Sequence, residues 1–286
     1  MIRDLKLLIK RNKIYNNYFS KKMSLGSKRL DICSAQFAHC FSLSKKPSLS
    51  DKVCLEIGGG WLLSHALVLY LLGAKKVYVA DFNVLANPKY LHSAINNSIT
   101  SIVRDVLSPF DDHDKIRFRL DKLLSIKKFD FNVLKDLGIQ YIAPIDLAKE
   151  KISLKVDFIY SNSVLEHVPV NDIKPLLDNL VSDLNPNGYM IHCIHLEDHI
   201  NGSNPFDFFT IPKDKFDSYL QTFRGNRVRC SEWENIFSNI TNTDTKLIYK
   251  WLRKDVDLPD NICQSLSKFD EDDIRTSHIG VCTTKF

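Results

Sequence analysis

The most constraining feature of this sequence is an apolar segment that runs into three consecutive glycines. Residues 53–57 are Val-Cys-Leu-Glu-Ile, residues 58–60 are all glycine, and an apolar run follows over Trp61–Leu72. A turn without Cβ atoms lets backbone N–H groups approach a ligand closely, with the N-terminus of a helix behind them. Asp81 follows Gly60 by 21 positions, at the end of the next predicted strand. A carboxylate at that place accepts hydrogen bonds from ribose hydroxyls, so the segment predicts nucleoside binding.

The residues around the turn favour one class of nucleoside over another. A dinucleotide fingerprint needs glycine or alanine at the last place of G-x-G-x-x-G, where this chain has Leu63. Glu56 stands two residues before the first glycine, and its negative charge would oppose a pyrophosphate but suit a cation. A positively charged nucleoside without phosphate is therefore expected, and an NAD-dependent oxidoreductase is the less favoured alternative.

Size and composition indicate a globular α/β protein. The 286 residues can form one large domain with additions or two small ones. The net charge of +5 is mild and does not call for a nucleic-acid partner. No apolar run reaches the length of a membrane span, and the N-terminus lacks the apolar core of a secretory signal. Seven cysteines without a C-x-x-C pair indicate reduced thiols and a cytoplasmic location.

Residues 1–50 are predicted to form a helical extension. Residues 1–30 are strongly basic and carry apolar residues at helical spacing, namely Ile2, Leu5, Leu8 and Ile9. We expect an amphipathic helix docked on the domain, with peripheral contact to an anionic membrane or a polyanionic substrate as the alternative. A second helix is predicted over 29–41, followed by a polar linker over 42–50.

Predicted strands and helices alternate over residues 51–194, which indicates a doubly wound, mostly parallel sheet. After the two strands around the glycine turn, further strands are expected at 140–145, 156–160 and 189–194. A helix over 170–184 ends at the breaker cluster Asn-Pro-Asn-Gly. Residues 83–138 exceed an ordinary crossover and predict a helical insertion, with helices over 90–106 and 111–128.

Two segments in this order resemble the class I S-adenosylmethionine-dependent methyltransferases. They are E-x-G-x-G at residues 56–60 and V-D-F-I-Y-S-N-S-V-L-E-H-V at residues 156–168. The resemblance implies a seven-stranded sheet over residues 51–286, completed by an antiparallel pair at 246–252 and 276–286, with S-adenosylmethionine as cofactor. It also implies which residues bind the cofactor. Those at the methionine end are Glu56, Gly58, Gly59 and Gly60, and those at the ribose are Asp81 and Phe82. Asp146 and Leu147 would contact the adenine, and Ser161 would form the floor of the cofactor site.

The acceptor is expected to lie against residues 195–230, which follow the fifth strand. Asp198-His199 and the later N-R-x-R element at 226–229 are loosely similar to methyltransferases from bacterial polysaccharide gene clusters. This similarity suggests that the acceptor is a sugar or glycan hydroxyl, or another small molecule.

A hydroxyl acceptor needs a general base to take its proton, and histidine suits neutral pH. We predict His199 as the base, oriented by Asp198, with His167 as the second candidate. Asn226, Arg227 and Arg229 could grip an anionic group of the acceptor, or could equally serve as salt-bridge and helix-cap residues. His192, Cys193, His195, Asp198 and His199 lie close together, but no spacing matches a structural zinc site, so no metal ligand is assigned and metal dependence is the less favoured alternative. The alternative from another class is a cofactor-binding scaffold without turnover.

Overall fold

The computed structural model describes Tyr18, Lys21, Lys22 and residues 28–286. The amphipathic helix expected near the N-terminus therefore lies outside the described residues, apart from those three positions. Seven strands form one sheet in the order β3-β2-β1-β4-β5-β7-β6. Their bounds are Val53–Ile57 (β1), Lys76–Ala80 (β2), Ile139–Ile142 (β3), Val156–Asn162 (β4), Leu184–His195 (β5), Thr243–Leu252 (β6) and Thr276–Lys285 (β7).

The sheet confirms the predicted doubly wound fold. β1 pairs in parallel with β2, with Ile57 opposite Ala80, and β2 pairs in parallel with β3, with Val77 opposite Ile139. β7 runs antiparallel to both β5 and β6, which confirms the predicted final antiparallel pair. Because strand order reverses around β1 and β4, ligands are expected beyond the carboxyl ends of these strands.

Ten α-helices lie within the described part of the chain, and none of them is long and apolar enough to cross a membrane. Their bounds are Arg29–Ser44 (α1), Ser64–Leu71 (α2), Leu91–Asn96 (α3), Thr100–Leu107 (α4), His113–Ser125 (α5), Phe131–Asp136 (α6), Val170–Asp183 (α7), Ser218–Arg224 (α8), Cys230–Ser238 (α9) and Glu271–Arg275 (α10).

The insertion after β2 is helical, as predicted, but its helices are shorter than expected. The single helix predicted over 90–106 is divided into α3 and α4. The carboxylate of Asp31 accepts hydrogen bonds from the backbone N–H of Ile99 at 3.0 and 3.1 Å, and α4 begins one residue later. The charged segment contains only α5, which begins after Asp112, whose side chain accepts a hydrogen bond from the Lys115 N–H. Asp112 is an N-cap that fixes the start of α5, and the Asp31 carboxylate holds the backbone directly before α4.

The Asn-Pro-Asn-Gly cluster ends α7 as predicted, but it does not form a separate loop. α7 ends at Asp183, and β5 begins at Leu184, five residues before the predicted strand start. Asn187 takes a left-handed φ of 63°, a conformation that asparagine tolerates better than most residues.

The described chain forms two compact units, and each has its own apolar packing. The first unit comprises the residues up to Asp146 together with Leu154–Tyr160, and the second comprises Leu147–Ser153 and Ser161–Phe286. In the first unit, Phe37 of α1 packs edge-on against Tyr160, with ring centroids 5.0 Å apart. A cluster in the second unit consists of Phe206, Phe208, Phe209, Phe216, Leu266 and Ile274.

Candidate functional site

The glycine turn after β1 has the close backbone approach that the sequence predicts. Gly58 and Gly60 have left-handed φ values of 75° and 60°. A Cβ at Gly59 would lie 2.4 Å from Cγ1 of Val79, so the turn packs directly against β2. A Cβ at Gly60 would meet no atom within 4 Å. The turn therefore has a packed side at Gly59 and an open side at Gly60, where a ligand can approach the backbone.

Asp81 follows the carboxyl end of β2 and is held beside this turn. Its Oδ2 accepts a hydrogen bond from the Gly60 N–H, and its Oδ1 accepts one from the Asn83 N–H, both at 3.2 Å. Burial raises the pKa of Asp81, although these backbone hydrogen bonds act in the opposite direction. Each carboxylate oxygen has further lone pairs that can accept a ribose hydroxyl.

Glu56 is a buried carboxyl group whose neighbours do little to stabilise its ionised form. It is 2% exposed, and its Oε2 has no hydrogen-bond partner among residues 28–286. Its Oε1 lies 3.8 Å from Nδ1 of His65, but burial and then Arg29 lower the pKa of His65 to about 3, so that ring is neutral. Burial, and then the charge of Asp81, raise the pKa of Glu56 to about 8. A bound cation or ammonium group would satisfy this carboxyl group, which fits a cofactor with positive charge and no phosphate.

The other four predicted cofactor residues differ in their exposure and in their hydrogen bonds. Phe82 is 55% exposed and offers a flat apolar face. Asp146 is partly buried, and Leu147 is buried while its carbonyl accepts a hydrogen bond from Asn179. Ser161 is buried, and its Oγ bonds to Nδ1 of His192 at 2.7 Å. Its hydroxyl is thus engaged within the protein, and the cofactor roles of all four residues stay predictions.

On the acceptor side, the carboxylate that faces His199 is Glu166 and not Asp198. Nε2 of His199 lies 3.5 Å from Oε1 of Glu166. Asp198 is buried and instead accepts hydrogen bonds from Nε and Nη2 of Arg224 and from the Ile200 N–H. The predicted orienting role of Asp198 is therefore wrong, because its carboxylate is held by Arg224 and the Ile200 N–H while Glu166 faces His199.

Three further histidines surround His199. The ring centroids of His167 and His195 lie 4.3 and 4.6 Å from that of His199, and His278 lies 5.8 Å from His195. Nδ1 of His167 is 2.8 Å from the Thr222 carbonyl, which fixes a proton on Nδ1 and leaves the lone pair on Nε2. His167 therefore stays the second candidate base.

The residues predicted to grip an anionic acceptor hold the backbone instead. Arg229 is fully buried and donates to the carbonyls of Leu196, Asp273, Ile274 and Thr276. Arg227 donates to the carbonyls of Phe208 and Ile211 and lies 3.6 Å from the ring centroid of Phe216. The Asn226 amide donates to the carbonyls of Leu165 and Val168. All three side chains therefore donate to backbone carbonyls, a role that differs both from the predicted grip on an anionic acceptor and from the salt-bridge and helix-cap alternative.

Sequence reasoning does not select Glu166 or Arg224 for this site, and it considers His195 only as a member of a possible metal cluster. Glu166 precedes His167 directly, and the same rule that selects polar residues beyond the carboxyl end of a strand would have selected it. His195 is the last residue of β5, so the rule applies to it as well. Arg224 has no comparable signal, since only the folded loop brings it to Asp198.

A family model described as a methyltransferase domain matches residues 35–239. Solved structures with similar folds include an S-adenosylmethionine-dependent methyltransferase from Mesorhizobium loti, with 13% identity, coverage of 88% of this chain and 98% of that one, and a TM-score of 0.46. Another is magnesium protoporphyrin IX methyltransferase from Synechocystis with bound S-adenosylhomocysteine, with 12% identity, coverage of 92% and 85%, and a TM-score of 0.45. A comparison with curated protein sequences finds no match.

The chain belongs to the methyltransferase domain family, because the model covers most of its length. It is a class I S-adenosylmethionine-dependent methyltransferase, as the sequence resemblance implies. This membership removes the reason to consider an NAD-dependent oxidoreductase.

Proposed function

We propose that this methyltransferase transfers the methyl group to a hydroxyl oxygen of a sugar, a glycan or another small molecule. The observation that carries the proposal is the group of Glu166, His199 and His167, in which a buried carboxylate and two imidazole rings meet beyond the ends of β4 and β5. An alcohol is a weak nucleophile until its proton is removed, and a placed imidazole performs that step near neutral pH.

The cofactor would be held at the glycine turn of the first unit. Glu56 would accept hydrogen bonds from the ammonium group of the methionine end, Gly58–Gly60 would allow close backbone approach, and Asp81 would bind the ribose hydroxyls. Phe82 would lie at the ribose and Asp146 at the adenine. When bound, S-adenosylmethionine supplies a methyl group that is already activated by the sulfonium charge, so alignment of the acceptor is the main task of the protein.

His199 is the proposed general base, and Glu166 replaces Asp198 as the residue that orients it. A base in this position contributes on the order of 10²–10⁴-fold to the rate. His167 is the second candidate, since its ring centroid lies 4.3 Å from that of His199. The alcohol proton passes to the imidazole as the oxygen attacks the methyl carbon and the sulfur leaves.

A flat aromatic surface near the histidines supports a sugar as acceptor. Trp251 on β6 is 49% exposed, and its ring centroid lies 5.4 Å from that of His278 and 5.0 Å from that of Tyr249. His278 in turn neighbours His195, its partner across β5 and β7. The apolar face of a sugar ring can pack against an exposed aromatic ring while its hydroxyls stay available to polar groups.

All seven cysteines are free thiols, which supports the proposed location inside the cell.

The test uses purified protein with methyl-labelled S-adenosylmethionine and pools of sugars, nucleotide sugars and glycans. We expect a labelled ether that survives mild base, and we expect His199→Ala to lose most of the product. His113→Ala is the matched control, because His113 lies on α5 with a side chain that is 51% exposed. Cofactor binding without transfer to any pool would favour the scaffold alternative, and transfer to nitrogen or carbon would contradict O-methylation.

A further inference from the structure

Three side chains from separate turns of the second unit direct donor atoms toward a common point. They are Glu166, from the turn after β4, His195, at the end of β5, and His199, in the loop after β5. One ligand atom from each of them lies within 4.8 Å of the other two. Glu166 is buried, His195 is half-buried and His199 is more exposed, so the point is open on one side.

The separation between Glu166 and His199 is unusual for a hydrogen bond. Their Oε1 and Nε2 atoms are 3.5 Å apart, whereas charge-assisted N–H···O bonds are usually about 2.7–2.9 Å long. Two ligands of a tetrahedral ion with bonds of about 2.0–2.2 Å are separated by roughly 3.4 Å. The pair is therefore spaced as two ligands of one ion.

Glu166 also has an oxygen that nothing satisfies. The side chain is 2% exposed, and its Oε2 has no hydrogen-bond partner in the described range 28–286. A buried carboxylate oxygen without a partner is costly, and native structures rarely leave one in that state. This orphaned oxygen is a second observation that points to a ligand, independent of the spacing.

The surroundings of His195 match those of a ligating histidine. Its Nε2 bonds to Oε2 of Glu197 at 2.7 Å, and Glu197 also accepts a hydrogen bond from Arg253. The carboxylate fixes the tautomer and leaves Nδ1 with the lone pair. A carboxylate on the second nitrogen of a ligating histidine is typical of protein metal sites.

We propose that Glu166, His195 and His199 form a binding site for a divalent transition-metal ion of the zinc class. Two imidazoles and one carboxylate with an open position are the ligand set of catalytic zinc and related ions. These three ligands come from separate segments without motif spacing, so the sequence does not mark them as a metal site.

The role of the ion rests on the proposed function. An acceptor hydroxyl that occupies the open position would have its pKa lowered, since the ion stabilises the alkoxide. The lone pair of His199 would then be held by the ion, and His167 would take the proton. With the ion bound, His167 rather than His199 would therefore be the general base.

The test measures cobalt binding by untagged full-length protein that has been stripped with a chelator. We expect Co²⁺ to produce visible d–d absorption that saturates at one ion per chain and that Zn²⁺ abolishes by competition. Glu166→Gln and His199→Ala should each weaken Co²⁺ binding by ~100-fold or more. His167→Gln is the matched control, which should keep the cobalt spectrum and affinity while losing methyl transfer.

Absence of saturable cobalt binding in a folded wild-type chain would overturn the proposal, as would unchanged affinity in both ligand variants, with folding checked by circular dichroism. Full-rate methyl transfer by protein shown to contain no metal would overturn the catalytic role of the ion while the proposed function stands. Cobalt binding without transfer to any hydroxyl would leave the metal site in place and contradict the proposed function.

Discussion

The glycine turn and the histidine cluster are both polar sites that follow strand ends, but they are encoded differently. At the turn, Glu56, the glycines and Asp81 occupy one short stretch of sequence, and backbone geometry determines what they contact. In the cluster, Glu166 follows β4, His195 ends β5 and His199 lies in the loop after β5, so their partners depend on how the loops fold. A contiguous site can therefore be predicted from sequence, whereas an assembled site can be predicted only as a list of candidates.

Of the predicted substitutions, replacing the proposed base His199 should have the largest effect on activity. We expect His199→Ala to lower kcat by on the order of 10²–10⁴-fold, because it removes the proposed general base or, with the ion bound, one of the three ligands of the ion. Cofactor affinity should stay unchanged, because that site belongs to the glycine turn. The measurement is steady-state kinetics together with cofactor titration. A fall in cofactor affinity that matches the fall in kcat would show that the two sites are not separable.

The next prediction distinguishes the role of Asp198, which binds Arg224, from that of Glu166, which faces His199. Asp198→Ala should lower the free energy of unfolding by roughly 3–5 kcal/mol, because its loss leaves Arg224, whose side chain is only 17% exposed, without its main partner. Denaturant unfolding provides the measurement. In a double-mutant cycle, Arg224→Met should recover part of the loss. If Asp198→Ala leaves stability intact and abolishes turnover, Asp198 orients the base after all.

A smaller effect is expected at the packed side of the turn. Gly59→Ala should cost roughly 1–3 kcal/mol of stability and weaken cofactor binding, since its Cβ would lie 2.4 Å from Val79 and 2.7 Å from Leu63. Gly60→Ala is the matched control: it has space for a Cβ but a φ of 60°, which costs about 1–2 kcal/mol in an L-residue. Equal losses of stability in the two variants would show that the close contact of Gly59 with β2 adds no cost of its own.

These predictions also show which parts of the fold and site can be predicted from sequence. The parallel strands around the glycine turn are encoded by local apolar runs, so their register and the position of Asp81 follow directly. The partner of Asp198 does not follow, because Arg224 lies 26 residues away on a helix whose start depends on the Asp217 cap. The roles of Asn226, Arg227 and Arg229 are also missed, since the sequence does not show which loop carbonyls need donors.

Measured over a single pH unit, the smallest expected effect is a pH dependence of stability from Glu56. Its pKa is raised from 4.5 to about 8, so the folded chain binds the proton more tightly than the unfolded chain. That stabilisation is complete below pH 4.5 and is lost as the pH rises toward 8, by roughly 1.4 kcal/mol per pH unit within this window. Denaturant unfolding across the window should show this slope in the cofactor-free protein. Glu56→Gln should reduce the slope, and an unchanged slope would assign it to another group.

The most direct test of the central claim is calorimetric titration of S-adenosylmethionine at about pH 7 in two buffers with different ionisation enthalpies. A cation that pairs with Glu56 must displace its proton, so binding should release close to one proton per cofactor, and Glu56→Gln should release none. Binding that releases the same number of protons in both proteins, or no binding to the wild type, would contradict the claim that Glu56 and the glycine turn hold a positively charged nucleoside.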